Sequence, residues 1–218
     1  MLPKQIIVVL SCCAFFATQN EAPERRVEGS TITSEGDPKL RIQLPKSVEY
    51  VGADRWVLYG IADCELHAFV DVDRKKNLER LYWVQFEQYI PTRPELHHTY
   101  DSPEHVSIGG LDFYVDSWVR ASDEKTEAGS DREHIDELIR AKGYLIPANM
   151  IYVRLVHLFD AEKRKELMII YGENLASIGL KAEDLKPGGK AQDQWPTLER
   201  SRVERAKTKI AIEETGKP

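Results

Sequence analysis

The chain is poor in cysteine. Among 218 residues there are three, Cys12, Cys13 and Cys64. The first two fall in an apolar N-terminal run, so Cys64 stands alone in the rest, and no disulfide framework or paired-cysteine motif is available there. Positive charge is also short: 30 Lys and Arg stand against 36 Asp and Glu, a formal net charge of -6. That balance argues against a nonspecific nucleic-acid surface. Glycine-rich phosphate loops and nucleophile elbows are missing. No apolar run reaches the roughly 20 residues that a membrane-crossing helix needs. With 42% hydrophobic and 30% charged residues, what remains is an ordinary globular composition with material for one core.

The run from Ile6 to Ala17 is apolar apart from Ser11 and follows Lys4. Its length and cationic flank fit the h-region of a secretory signal, with a hydrophobic N-terminal strand as the plainer alternative. Small residues allow cleavage after Ala14. Val9-Leu10-Ser11-Cys12 also resembles a bacterial lipoprotein box, which would make Cys12 the acylated residue. The expected division is a signal or lipoprotein signal over 1–17 and a disordered linker over 18–38. A single α+β domain follows over 39–186, then a linker and C-terminal helix over 187–218. The protein is then exported: periplasmic, extracellular, or attached to a membrane through its N-terminus only.

Strand patterns dominate the first half. Even positions from Trp56 to Val70 are apolar or small while Asp63, Glu65, His67 and Asp71 alternate with them, the period of a half-buried strand. Asp71 to Asn77 reads as a charged turn and Leu78 to Ile90 as the return strand, stopped by Pro91 and Pro94. Ser107 to Arg120 reads as a third strand, with Gly109-Gly110 marking a bulge or sharp bend. Ser130 and Glu133 form a capping-box pattern ahead of Ile135, Leu138 and Ile139, and Gly143 suits the helix end. Met150–Phe159 and Lys165–Glu173 read as a hairpin, and Thr197–Ile212 as a helix with a thin apolar face. The expected fold is α+β. A curved antiparallel sheet of five or six strands, in β-β-β-α-β-β-α order, carries one helix packed on a face and a C-terminal helix. Lys39 to Leu44 would supply the extra edge strand.

Pairing Ala62, Cys64 and Leu66 with Tyr82, Val84 and Phe86 on one side gathers polar groups on the other. These are Asp63, Glu65 and His67 from the first strand, and Trp83, Gln85, Glu87 and Tyr89 from the second. Asp112, Tyr114, Asp116, Trp118 and Arg120 come from the third. Rings beside carboxylates and a guanidinium suit a small polar ligand with an apolar face; a solvated sheet face is the ordinary alternative. Glu87 with Asp112 or Asp116 is a candidate acid pair. His97, His98, Asp101 and His105, close together in a polar loop, are candidate metal ligands, although adjacent histidines on an extended chain point apart. Cys64, on the apolar side, reads as an inert thiol.

The leading expectation is a non-catalytic exported domain that binds a small polar ligand or a protein partner on the sheet. A structural component of the cell envelope is the second. A hydrolase using carboxylates of the sheet face or a metal at the histidine loop is the third. The pattern names no cofactor and no nucleic acid.

Overall fold

The computed structural model describes residues 22–121 and 123–216. The N-terminal apolar run, and Cys12 with it, lies outside the described residues. The elements are β1 (Arg26–Glu28), β2 (Thr31–Ser34), β3 (Leu40–Gln43), β4 (Glu49–Leu58), β5 (Ala62–Val72), β6 (Leu78–Tyr89), β7 (Glu104–Ile108), β8 (Leu111–Ala121), α1 (Asp131–Ala141), β9 (Asn149–Leu158), β10 (Lys165–Asn174), α2 (Ala182–Leu185), α3 (Trp195–Lys209) and β11 (Ala211–Glu214). The fold is α+β and its strand pairs are antiparallel.

Two sheets replace the single sheet of five or six strands. Seven strands run in the order β4-β5-β6-β10-β9-β8-β7, and four in the order β1-β2-β3-β11. The large sheet is two meanders zipped together by β6 and β10, so its strand order differs from a simple sequential meander. The small sheet unites the two ends of the described chain. Residues 26–34, read from composition as linker, form β1 and β2 of that sheet. Their polar composition hid Ile32, which is fully buried.

The alternation from Trp56 to Val70 spans two strands and not one. The chain turns back across Leu58–Ile61, with Tyr59 and Gly60 at φ 48° and 72° and the Ile61 amide donating to the Leu58 carbonyl. Positive φ at both central residues is what a primed hairpin turn needs. Leu58 pairs with Ala62, so the even parity survives the turn and periodicity cannot reveal it. Gly109 and Gly110, expected as a bulge or sharp bend, form the hairpin turn between β7 and β8, at φ 61° and 85°. Gly109 has no alternative: a Cβ there would lie 2.0 Å from the Ile212 carbonyl oxygen of β11.

Both faces of the large sheet are covered. On one, Phe69, Val84, Leu155 and Ile169 pack against Ile32, Leu40 and Ile42 of the small sheet and Val203 and Ala206 of α3. The last helix is therefore docked, and Arg202 and Arg205 bind Glu173 of β10 at 3.1 and 2.9 Å. On the other face, Leu66, Ala68, Trp83 and Ile170 pack against Ile135 and Ile139 of α1, with Tyr100 of the loop after β6 beside them. Helix α1 starts as its sequence predicts: the Ser130 hydroxyl accepts the Glu133 amide, while the Glu133 carboxylate receives the Gly129 amide.

Ile169 lies in a central strand and is fully buried, whereas Val57 on the edge strand is 55% exposed. Ile169→Ala is expected to lower unfolding free energy by about 3 kcal/mol and Val57→Ala to stay within about 0.5 kcal/mol. Urea melts of the two variants check this.

Candidate functional site

The register between β5 and β6 decides which residues meet. Cys64 pairs with Glu87, and Glu65 with Phe86. This is three residues away from the pairing that the sequence suggested, and a slip by an odd number of residues moves side chains to the opposite face. Glu65, His67 and Asp63 therefore lie on the face covered by the small sheet. Trp83, Gln85, Glu87 and Tyr89 share the other face with Cys64 and Leu66, and with Asp112, Tyr114, Asp116, Trp118 and Arg120 of β8. Strands β10 and β9 separate β6 from β8, so the second group does not close into one pocket.

What does converge lies around Glu87. Cys64, Glu87 and Glu166 occupy one rung across β5, β6 and β10. His98 reaches the rung from the loop after β6, and its Nδ1 lies 3.0 Å from Glu166 Oε2. Ligand atoms of Glu87, His98 and Glu166 lie within 4.8 Å of one another, and so do those of Cys64, Glu87 and Asp131. Asp131 is the first residue of α1. The Tyr100 hydroxyl donates to Glu166 Oε2 at 2.6 Å. Gln85 donates to Glu87 Oε2 at 3.3 Å, and the Cys64 thiol to the same oxygen at 3.5 Å.

The loop over this cluster is fastened by one side chain. The Arg164 guanidinium, in the β9–β10 turn, donates to the carbonyls of Tyr89, Ile90, Arg93 and Leu96. The His98 amide donates to the Lys163 carbonyl at 2.8 Å, and the His98 ring stacks on Tyr89 with centroids 4.4 Å apart. His98 is thereby buried, at 6% exposure, and its Nε2 has no hydrogen-bond partner. The other candidates, His97 and Asp101 in the loop and His105 on β7, are exposed and do not join it. His105 instead contacts Tyr114, with ring centroids 4.6 Å apart.

Burial sets the charge of the cluster. Burial, then the charge of Asp131, push Glu87 up to about 7, against hydrogen bonds from Cys64 and Gln85. Burial, then the charge of Glu87, push Glu166 up to about 8, against the Tyr100 hydroxyl and Arg154. Burial also raises Asp131 and the Cys64 thiol, and it lowers His98 to about 4, keeping its imidazole neutral. Each acid of the set is thereby drawn toward its protonated form.

Glu65, on the opposite face, solves the same problem with hydrogen-bond donors. Its carboxylate accepts the amides of Glu24 and Arg25 at 2.8 and 2.9 Å and the Arg25 guanidinium at 3.0 Å. His67 Nε2 lies 2.8 Å from it, and the far nitrogen of that ring lies 3.2 Å from the Tyr50 hydroxyl. Hydroxyl, imidazole and carboxylate in line have the order of a nucleophilic triad. However, burial pushes the Tyr50 hydroxyl up to about 12, and the remaining capacity of Glu65 is spent on the N-terminal arm. The arrangement clasps residues 24 and 25 to the sheet. A cavity of about 90 Å³ lies beside it, with Glu65, Arg55, Lys165, Glu87 and Glu166 in its wall. It is well below the 300–1,000 Å³ of sites for drug-sized ligands.

The remaining candidates have structural partners. Trp83 is buried and donates to Gln85, and Asp116 pairs with Arg154 at 2.6 Å. Arg120 ties down the loop after β8 through the Glu124 and Lys125 carbonyls and the Thr126 hydroxyl. Trp118 stacks on Tyr152 and lines a groove with Trp195, whereas Asp112 and Tyr114 line another with His105 and His157. Sequence reasoning missed Glu166 and Asp131 and set Cys64 aside. A signal existed for Glu166: a carboxylate at the head of the apolar run Leu167-Met168-Ile169-Ile170. Comparison with protein-family models, with curated proteins and with solved structures finds no match.

Burial raises the Glu65 carboxyl, but the His67 bond, the two amides and the Arg25 charge outweigh it and bring the group down from 4.5 to about 2. A carboxylate depressed in the folded state stabilises above its ordinary value and loses that contribution as pH falls toward the folded value. The contribution is about 3 kcal/mol at neutral pH. Urea melts at stepped pH are expected to show the gap between the wild type and Glu65→Gln narrowing by about that much between pH 5 and pH 2.

Proposed function

We propose that the protein is a metal-binding domain whose ligand is a divalent cation of the zinc type, held by Glu87, His98 and Glu166. The observation that carries this reading is the convergence of those three ligand atoms within 4.8 Å inside the fold, from β6, the loop after it and β10. Two ligand atoms on opposite sides of an ion bonded at 2.0–2.4 Å stand about 4–4.8 Å apart, so the triad has the dimensions of one coordination sphere. Two carboxylates and a neutral imidazole form a donor set of borderline softness that suits zinc, iron(II) or cobalt(II). Burial already keeps the imidazole in its ligating form, and a cation replaces the protons that otherwise neutralise the two acids.

The rival ligand from the sequence, a sugar-like molecule stacked on rings, has less support. Trp83 is in the core, and Tyr114 and Trp118 line different grooves. The carboxyl pair expected at Glu87 with Asp112 or Asp116 is replaced by Glu87 with Glu166.

Chelator-treated protein is expected to gain thermal stability on addition of zinc, because a ligand that binds only the folded state raises its stability; at 100-fold excess over Kd the gain is about 2.7 kcal/mol. Glu166→Gln, which keeps shape but loses the charge, should fold and lose most of that response. Scanning calorimetry with and without zinc measures both. A wild-type melting temperature indifferent to zinc, cobalt and iron(II) would refute the proposal.

A further inference from the structure

The donors around Glu87 outnumber what one ion needs. Beyond Glu87, His98 and Glu166 stand Cys64 on β5 and Asp131 at the start of α1, whose ligand atoms lie within 4.8 Å of each other and of a Glu87 oxygen. Glu87 belongs to both triads. Two polar atoms of the five-residue set, His98 Nε2 and Asp131 Oδ1, are buried with no hydrogen-bond partner. His98 is more than nine-tenths buried. Orphaned polar atoms inside a protein are uncommon, because each costs roughly 1–3 kcal/mol when left unpaired.

We infer that the site holds two cations, with Glu87 bridging them through its two carboxylate oxygens. One ion takes His98 and Glu166 as its further ligands, and the other takes Cys64 and Asp131. This rests on the single-ion reading above and extends it. A bridging carboxylate sets two ions about 3.5–4 Å apart, the spacing of known two-metal sites. The fold supplies what such a pair demands. Cys64, Glu87 and Glu166 stand on one rung of adjacent strands, so Glu87 has a donor on either side. His98 completes one side from the loop, and Asp131 completes the other from the helix. The two sides differ in chemistry: one offers nitrogen and oxygen, the other a sulfur. Thiolate favours zinc, or cobalt as its spectroscopic stand-in. Cys64 binds with loss of its thiol proton to solvent, and no oxidation is involved.

The test loads chelator-treated full-length chain with cobalt(II) and, separately, with zinc. It reads metal per chain by elemental analysis after desalting, near-ultraviolet absorption and melting temperature. The expected wild-type result is two ions per chain with a thiolate-to-cobalt charge-transfer band. Cys64→Ser and Asp131→Asn are expected to keep one ion and the metal-dependent rise in melting temperature. The charge-transfer band vanishes in Cys64→Ser. Glu87→Gln is expected to lose both ions, with circular dichroism showing that it still folds. One ion per wild-type chain with no charge-transfer band, while the Glu166-dependent thermal response persists, would overturn the second ion and leave the first standing. No bound metal and no thermal response would overturn both.

Discussion

Coverage of the seven-stranded sheet on both faces is the constraint from which the rest of the structure follows. A sheet open to water on one side tolerates polar residues at every second position. Here both parities of β5 and β6 run through the interior: Glu65, Leu66, His67 and Ala68 are all buried in sequence, and so are Trp83, Val84, Gln85 and Phe86. Each polar side chain on those strands must therefore find a partner, shed its charge or be neutralised by an ion, because an isolated buried charge costs far more than any contact around it returns.

Two glutamates on adjoining rungs show two of these outcomes. Glu65 pairs with Phe86 and Glu87 with Cys64, so their side chains leave the sheet on opposite sides. Glu65 is buried and Glu87 half-buried. Glu65 meets two backbone amides, a guanidinium and an imidazole, and its carboxylate falls to about 2. Glu87 meets a thiol, a side-chain amide and further acids, and it rises to about 7. Burial opposes ionisation in both; the number and sign of the surrounding donors decide the result. The first arrangement is complete within the protein and holds the N-terminal arm. The second is a concentration of acceptors with few donors, which is the electrostatic condition for taking up a cation.

Much of the fold was legible in the sequence. The charged turn before β6, the β9–β10 hairpin and the capped helix α1 all lie where their residues predicted, because turn chemistry, caps and alternation are local properties. The hairpin turn at Tyr59-Gly60 was not legible, since the alternation keeps its parity through it. Of the small sheet only β3 was expected, as an edge strand; the rest escaped notice because each strand has three or four residues and at most two buried side chains. The register between β5 and β6 was missed by three residues, an odd number, so the faces were exchanged. Cys64 and Leu66 look as though they belong with Val84 and Phe86, and only coverage of both faces allows Glu87 and Gln85 to sit beside them. For the site, Glu87 and His98 were recognised for separate reasons, one as a ligand of the sheet face and one as a loop metal ligand. Their meeting depends on β10 pairing with β6, which no local pattern announces.

The way His98 and Glu166 are brought together bears on whether the cluster is preorganised. Arg164 grips four carbonyls between Tyr89 and Leu96, and Lys163 receives the His98 amide. Both belong to the turn that opens β10, and Glu166 follows two residues after Arg164. One turn therefore fixes the loop that carries the imidazole and the strand that carries the carboxylate. The Tyr100 hydroxyl, from the same loop, then orients Glu166 from the side. Ligands held by supports outside the coordination sphere lose little freedom on binding, and such supports commonly govern affinity nearly as strongly as the ligands do. The arginine that no pattern singled out is on this argument as important to the geometry as the histidine beside it, because without its grip a loop with three prolines and several exposed charges has little reason to lie over an acidic rung at all.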